Sequence, residues 1–148
     1  MIFKRLQKFA KTDDEILGLS FAYIGEKLQK MADKKVFRPA KISIVHYNIL
    51  SSLSMQSPRS ANSISPVVMG SSANFSAILS RMEKENLIVR KNISEDRREV
   101  FVEWTKKGEA LFHTLRPQFQ DLFTEEFQQI PNREKEKILQ FLQNFLIK

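Results

Sequence analysis

The sequence contains no cysteine, and that absence removes disulfide frameworks, thiolate zinc sites and cysteine-based redox switching at once. Glycine and proline are scarce, four and five in 148 residues, which excludes collagen-like and low-complexity architectures. No apolar run approaches the ~20 residues of a membrane-spanning helix. The start of the chain carries Lys4, Arg5 and Lys8 but no apolar stretch behind them, so no signal peptide is read there. Also missing are a glycine-rich phosphate loop and any spaced His/Asp/Glu cluster, since His46 and His113 have no carboxylate at ligand spacing. These gaps argue against an enzyme, a resident metal or a cofactor. With 42% hydrophobic and 28% charged residues the chain can build a core, and its length suits one domain with helical arms. The expectation is a soluble cytoplasmic chain with no membrane partner.

One absence is local. No Asp or Glu occurs between Asp33 and Glu83, whereas Lys34, Lys35, Arg38, Lys41, Arg59 and Arg81 fall in or beside that window. The net charge is +7, from 24 basic and 17 acidic residues. A surface that approaches phosphate oxygens is expected to lack carboxylates, because each would be repelled by the polyanion and reduce the gain from counterion release. A neutral-polar stretch lacking acids by chance is the alternative.

Apolar residues at helical spacing predict a helix over 13–31 through Leu17, Phe21, Ile24, Leu28 and Met31, ending before Pro39. A second is predicted over 41–54 through Ile42, Val45, Ile49, Leu50 and Leu53. Residues 56–65 are polar and read as a loop with at most a short helical turn, and Pro66 suits the first turn of a short helix ending near Gly70. The clearest helix follows, capped by Ser71 or Ser72, with Phe75, Ile78, Leu79 and Met82 facing inward. Its other face presents Ser72, Ala73, Asn74, Ser76, Ala77, Ser80 and Arg81. Such small hydrogen-bonding side chains allow close approach to base edges in a groove, although a serine-rich surface helix would look the same.

Asn86 suits the left-handed position that ends this helix. Residues 87–91 and 100–104 then read as two strands joined by a polar turn with its tip at 94–98. Thr105 can cap a helix over 106–129, which Pro117 is expected to kink or split, and Pro131 opens a last helix with Ile138, Phe141, Leu142, Phe145 and Leu146 on one stripe. Six of the twelve phenylalanines lie in 112–145. That apolar surface calls for a partner layer, supplied most simply by a second copy of the chain.

Three linked segments carry a resemblance: Met82-Glu-Lys-Glu-Asn-Leu-Ile-Val-Arg90, Asp96-Arg97-Arg98, and Trp104-Thr-Lys-Lys-Gly-Glu109. Together they resemble the MarR family of bacterial winged helix-turn-helix regulators, over about residues 70–112. The family pattern is a helix ending in Leu-Glu-x-x-Gly-Leu-[Val/Ile]-x-Arg, an Asp-x-Arg wing tip, and Leu-Thr-x-x-Gly opening the next helix. Asn86 departs from the usual Gly and Trp104 from an aliphatic residue. The implied fold is mainly α with a small two-stranded β-wing: a winged helix-turn-helix unit over 41–104, with dimerisation helices over 13–35 and 106–148.

The resemblance implies a homodimer on a roughly palindromic double-stranded DNA operator, one recognition helix per major groove and the wing in the adjacent minor groove. Base and backbone contacts would then come from Ser72, Asn74, Ser76, Arg81, Arg90 and Lys91. Arg98 would enter the minor groove braced by Asp96, with Arg97 on phosphate. Family members often take small anionic or aromatic effectors between the dimer helices and the winged unit, for which Phe21, Tyr23, His46, Tyr47 and His113 are the candidates here. Repression is the family default. A helical protein–protein adaptor with a degenerate wing, and a non-specific architectural DNA binder, are the competing readings.

Overall fold

The computed structural model describes residues 2–68, 74–91 and 99–147. A short helix α1 (Ile2–Phe9) precedes α2 (Asp13–Ala32), which Thr12 caps by accepting the Glu15 N–H at 3.2 Å. Three acidic residues occupy the first turn of α2, where they complement the helix dipole. The last turn widens over Asp33–Phe37, with the Arg38 N–H reaching Asp33 O at 2.8 Å and Val36 and Phe37 turned into the core. The chain leaves this helix through Lys41 in the left-handed region, φ 58°. The Lys41 and Ile42 N–H groups bond back to Arg38 and Phe37 carbonyls at 3.0 and 3.1 Å, the paired closure of a Schellman motif. Hence α3 (Ile44–Met55) begins three residues later than the apolar periodicity suggested: Lys41 belongs to the preceding cap, and Ser43 is the extended N-cap of α3.

The polar segment after α3 is more structured than its composition indicates. Strand β1 (Arg59–Ser60) is followed at once by α4 (Ala61–Ile64) and a single tighter turn, Ser65–Val67, holding Pro66 near its start. Then come α5 (Phe75–Lys84), β2 (Ile88–Lys91), β3 (Phe101–Trp104), α6 (Lys106–Phe127) and α7 (Asn132–Leu146). The sheet is antiparallel in the order β1-β3-β2, with Arg90 opposite Val102 and Arg59 opposite the same Val102 on the other edge. The two expected strands are thus joined by a third. Its two polar side chains carry no alternating pattern, so only backbone pairing reveals it.

The core lies where α3 crosses the sheet and α5. Ile49, Leu50 and Leu53 of α3 meet Ile64, Leu79, Met82, Ile88 and Val102, all at most 3% exposed. Each such side chain contributes roughly 1.5–3 kcal/mol relative to exposure. An aromatic layer joins this core to α6: Tyr47 lies 4.8 Å from Phe119 and 5.7 Å from Phe112, and Phe37 lies 5.4 Å from Phe119. The long helix α6 is continuous through Pro117, so the expected split does not occur. Proline deprives the His113 carbonyl of its donor, but His113, Thr114, Arg116 and Pro117 all lie on the exposed flank, where water replaces the lost bond.

Helices α1 and α7 bury no residue completely, and α7 exposes Leu139, Phe145 and Leu146 along its length. The α2 and α7 helices meet through parallel stacking of Phe21 on Phe141, 6.4 Å between ring centres. No described helix is long and apolar enough to cross a membrane.

Candidate nucleic-acid interface

Helix α5 presents its inward stripe, Leu79 and Met82, to the core, which turns Asn74, Ser76, Ala77 and Arg81 outward. Its C-terminal end is fixed by Asn86 at φ 57°. Asn86 N–H reaches Glu83 O at 3.0 Å and Leu87 N–H reaches Met82 O at 2.9 Å, the same double closure seen at Lys41. The chain turns there directly into β2, so the helix and the wing strand are separated by only the 85–87 turn.

Across that turn Arg90 reaches back to α5. Its Nε and Nη2 donate to Glu83 Oε2 at 2.9 and 2.7 Å, Nη2 also donates to Ser80 Oγ at 2.9 Å, and its backbone N–H donates to Glu83 Oε1 at 3.2 Å. The guanidinium holds the Glu83 carboxyl below its ordinary value of 4.5. Two further cations sit nearby in more open positions: Arg81 pairs with Glu85 at 2.9 Å, and Lys91 on β2 pairs with Glu103 on β3. Their side chains are 66% and 54% exposed, against 29% for Arg90.

A groove of about 430 Å³ runs between the outer flank of α5 and the start of α3. Lys41, Ser43 and His46 form one wall, Asn74, Ala77 and Arg81 the other. His46 is buried, with its Nδ1 accepting the Ser43 N–H at 3.3 Å and lying 2.7 Å from Ser43 Oγ. That arrangement needs a neutral ring with its proton on Nε2, and burial pushes the His46 pKa below 6.5.

Folding partly refills the acid-free window. Arg38 pairs with Asp33 at 2.7 Å, Lys35 with Glu125 at 3.5 Å and Arg81 with Glu85, while Arg59 donates to Ser63 Oγ and to Ser52 O. These are exposed or half-exposed pairs worth little in water, so a phosphate can exchange for the carboxylate. Of the groove residues, Lys41 was read as part of the acid-free window, and Ser43 escaped the sequence reading. The spacing Ser43-x-x-His46, a helix-capping pattern, was the available signal.

Of the expected contact residues, Asn74, Ser76 and Arg81 share the outer face of α5, and Lys91 lies on the adjacent strand. Arg90 is half-buried against α5, on Glu83 and Ser80. Ser72, Asp96, Arg97 and Arg98 lie outside the described residues. The expected effector residues are dispersed: Phe21 and Tyr23 are exposed on α2, Tyr47 is in the aromatic layer, His46 faces the groove, and His113 packs on Trp104 at 6.2 Å.

Residues 42–100 match the sequence model of the MarR family. No curated protein sequence matches the chain. Among solved structures the fold is similar to AbsC, a MarR family transcriptional regulator from Streptomyces coelicolor, with TM-score 0.81, 21% identity, and coverage of 93% of this chain and 95% of that one. It is similar also to MepR from S. aureus in a complex with DNA, with TM-score 0.78, 21% identity, and coverage of 87% and 95%. A mutant MarR from E. coli complexed with operator DNA gives TM-score 0.78 at 20% identity, covering 88% and 93%.

Proposed function

We propose, from the match of residues 42–100 to the MarR family model, that the protein is a transcriptional regulator, not an enzyme, that binds double-stranded DNA as a homodimer. In this reading α5 enters the major groove and the wing reaches the minor groove beside it. Asn74, Ser76 and Arg81 face base edges and phosphates, Lys91 takes a phosphate, and Arg98 braced by Asp96 enters the minor groove with Arg97 on the backbone. The observation that carries the reading is the outer face of α5: small, polar, and flanked by exchangeable exposed cations on the helix and on β2. The unit spanning 41–104 is the DNA-binding part, and the helices over 13–35 and 106–148 make the dimer, a reading supported by the apolar residues Leu17, Ile24, Leu139, Phe145 and Leu146 that stay exposed on α2 and α7.

The operator is a rough palindrome with half-sites about one helical turn apart, as two-fold symmetry requires. Repression is the default mode, relieved by a small anionic or aromatic effector. The test is titration of a labelled duplex from upstream of the chain's own gene against a scrambled duplex, over a salt series, with wild type and Arg98→Ala. Tight, salt-sensitive binding to the native duplex alone, blunted by the substitution, supports the reading. Equal binding to both duplexes selects an architectural role, and no binding at low salt selects an adaptor.

A further inference from the structure

We infer that Arg90 is a positioning residue that locks the wing to the recognition helix, and not a contact to DNA. The inference deepens the DNA-binding reading above and rests on it. Three features of the geometry converge. Arg90 is the most enclosed of the three cations at this corner. Its Nε and Nη2 are committed to partners inside the chain, in a fork that spans Glu83 and Ser80 together. Ser80 Oγ in turn donates to Ser76 O at 2.9 Å, so the strand is tied to three successive turns of α5 through one guanidinium.

The alternative partners for phosphate are better placed. Arg81 and Lys91 lie on the helix and the strand at this corner, are exposed, and among the described residues each holds one carboxylate by a solvent-facing pair. A phosphate that took the Nε and Nη2 donors of Arg90 would strip Glu83 of its charge-assisted bonds and leave that carboxylate facing the polyanion. Helix and strand otherwise meet through the 85–87 turn and through Leu79, Met82 and Ile88 in the shared core, which leave the outer corner between them without a polar restraint of its own. The fork supplies that restraint. A lysine cannot replace it, because an ammonium on a flexible stem cannot hold Glu83 and Ser80 in one plane.

The inference separates from a direct contact because Glu83→Gln removes a negative charge yet should weaken binding. The experiment measures affinity for the duplex over a salt series with wild type, Arg90→Ala, Arg90→Lys, Glu83→Gln and the exchanged pair Glu83→Arg with Arg90→Glu, alongside thermal midpoints. Arg90→Ala and Glu83→Gln are each expected to weaken binding about tenfold, the scale of a broken coupled network. The slope of log affinity against log salt stays at the wild-type value, Arg90→Lys fails to restore affinity, and the exchanged pair recovers part of it. Faster amide exchange in β2 and β3 of Glu83→Gln accompanies the loss.

Two results overturn the inference. Unchanged or tighter binding by Glu83→Gln, with a slope lowered by about one in Arg90→Ala, makes Arg90 a phosphate contact. A lowered thermal midpoint with unchanged affinity in both variants makes the pair structural only. Failure of the wild type to bind any duplex is a different outcome, and it overturns the DNA-binding reading itself.

Discussion

A β-carbon on Gly108 would lie 2.0 Å from the carbonyl oxygen of Leu87. The contact arises because the start of α6 is sewn onto the 85–87 turn. Thr105 N–H donates to Leu87 O at 3.1 Å, Thr105 Oγ1 to Asn86 O at 2.7 Å, and Lys107 Nζ to Glu85 O at 2.8 Å. Thr105 Oγ1 also accepts the Gly108 N–H at 3.1 Å as the cap of α6. Backbone therefore packs on backbone at Gly108, with Leu50 of the core next in line.

Gly108→Ala is expected to destabilise the chain by about 2–4 kcal/mol, since backbone must shift to admit the methyl group. Gly18, in the interior of α2, has open space around it, so Gly18→Ala should stabilise by about 0.5–1 kcal/mol. Urea midpoints of the two variants check both signs, and a neutral Gly108→Ala would refute the packing.

Lys41 and Asn86 occupy left-handed positions at φ 58° and 57°. Glycine carries no β-carbon penalty there, so Lys41→Gly is expected to stabilise by a few tenths to about 1 kcal/mol. Asn86→Gly should gain less, because asparagine already tolerates the conformation. Thermal unfolding of the two variants measures the difference, and a destabilised Lys41→Gly would show that the lysine side chain matters more than its backbone.

His46 makes stability depend on acidity. Its folded pKa is depressed by burial, so its contribution is fully present above the unfolded value near 6.5. As pH falls below that value the unfolded chain takes up the proton first, and the contribution declines until the folded pKa is passed. Protonation also removes the acceptor for the Ser43 N–H. Glutamine keeps an acceptor at this position without a titration, so His46→Gln should lose less stability than wild type between pH 7.5 and 5.5. Parallel urea midpoints in the two proteins would sink the assignment.

The exposed apolar faces give a prediction about assembly. Phe145→Glu and Leu139→Glu place charge in the face of α7 that a second copy would cover. Sedimentation should show a dimer for the wild type at micromolar concentration and a shift toward monomer in the variants, with parallel loss of duplex affinity. A wild type that sediments as a monomer removes the two-fold operator model.

Much of this was legible in the residues. The stripe Phe75, Ile78, Leu79, Met82 located α5, Asn86 marked its end, and Thr105 marked the start of α6, because caps and periodicity are local properties. Strand β1 was not legible: it is two polar residues long and exists through pairing of Arg59 with Val102 and Ser60 with Phe101, far along the chain. Pro117 pointed toward a break, yet whether a lost hydrogen bond matters depends on which flank faces water. The Arg90 fork was hidden for a similar reason. Motif position marks that arginine as basic and near the wing, but only the fold shows that Glu83 and Ser80 have already claimed it. The groove walls, too, come from two helices whose meeting no spacing encodes.

Strand β3 ends at Trp104 and α6 begins at Lys106, so a single residue separates them, and Thr105 is itself bonded to Asn86 in the 85–87 turn and to Gly108 of α6. Most connections in compact domains allow several residues of slack. Here there is none, and α6 then runs for 22 residues, a rod of about 33 Å. The sheet and the far end of α6 are therefore joined without slack, through the backbone packing at Gly108.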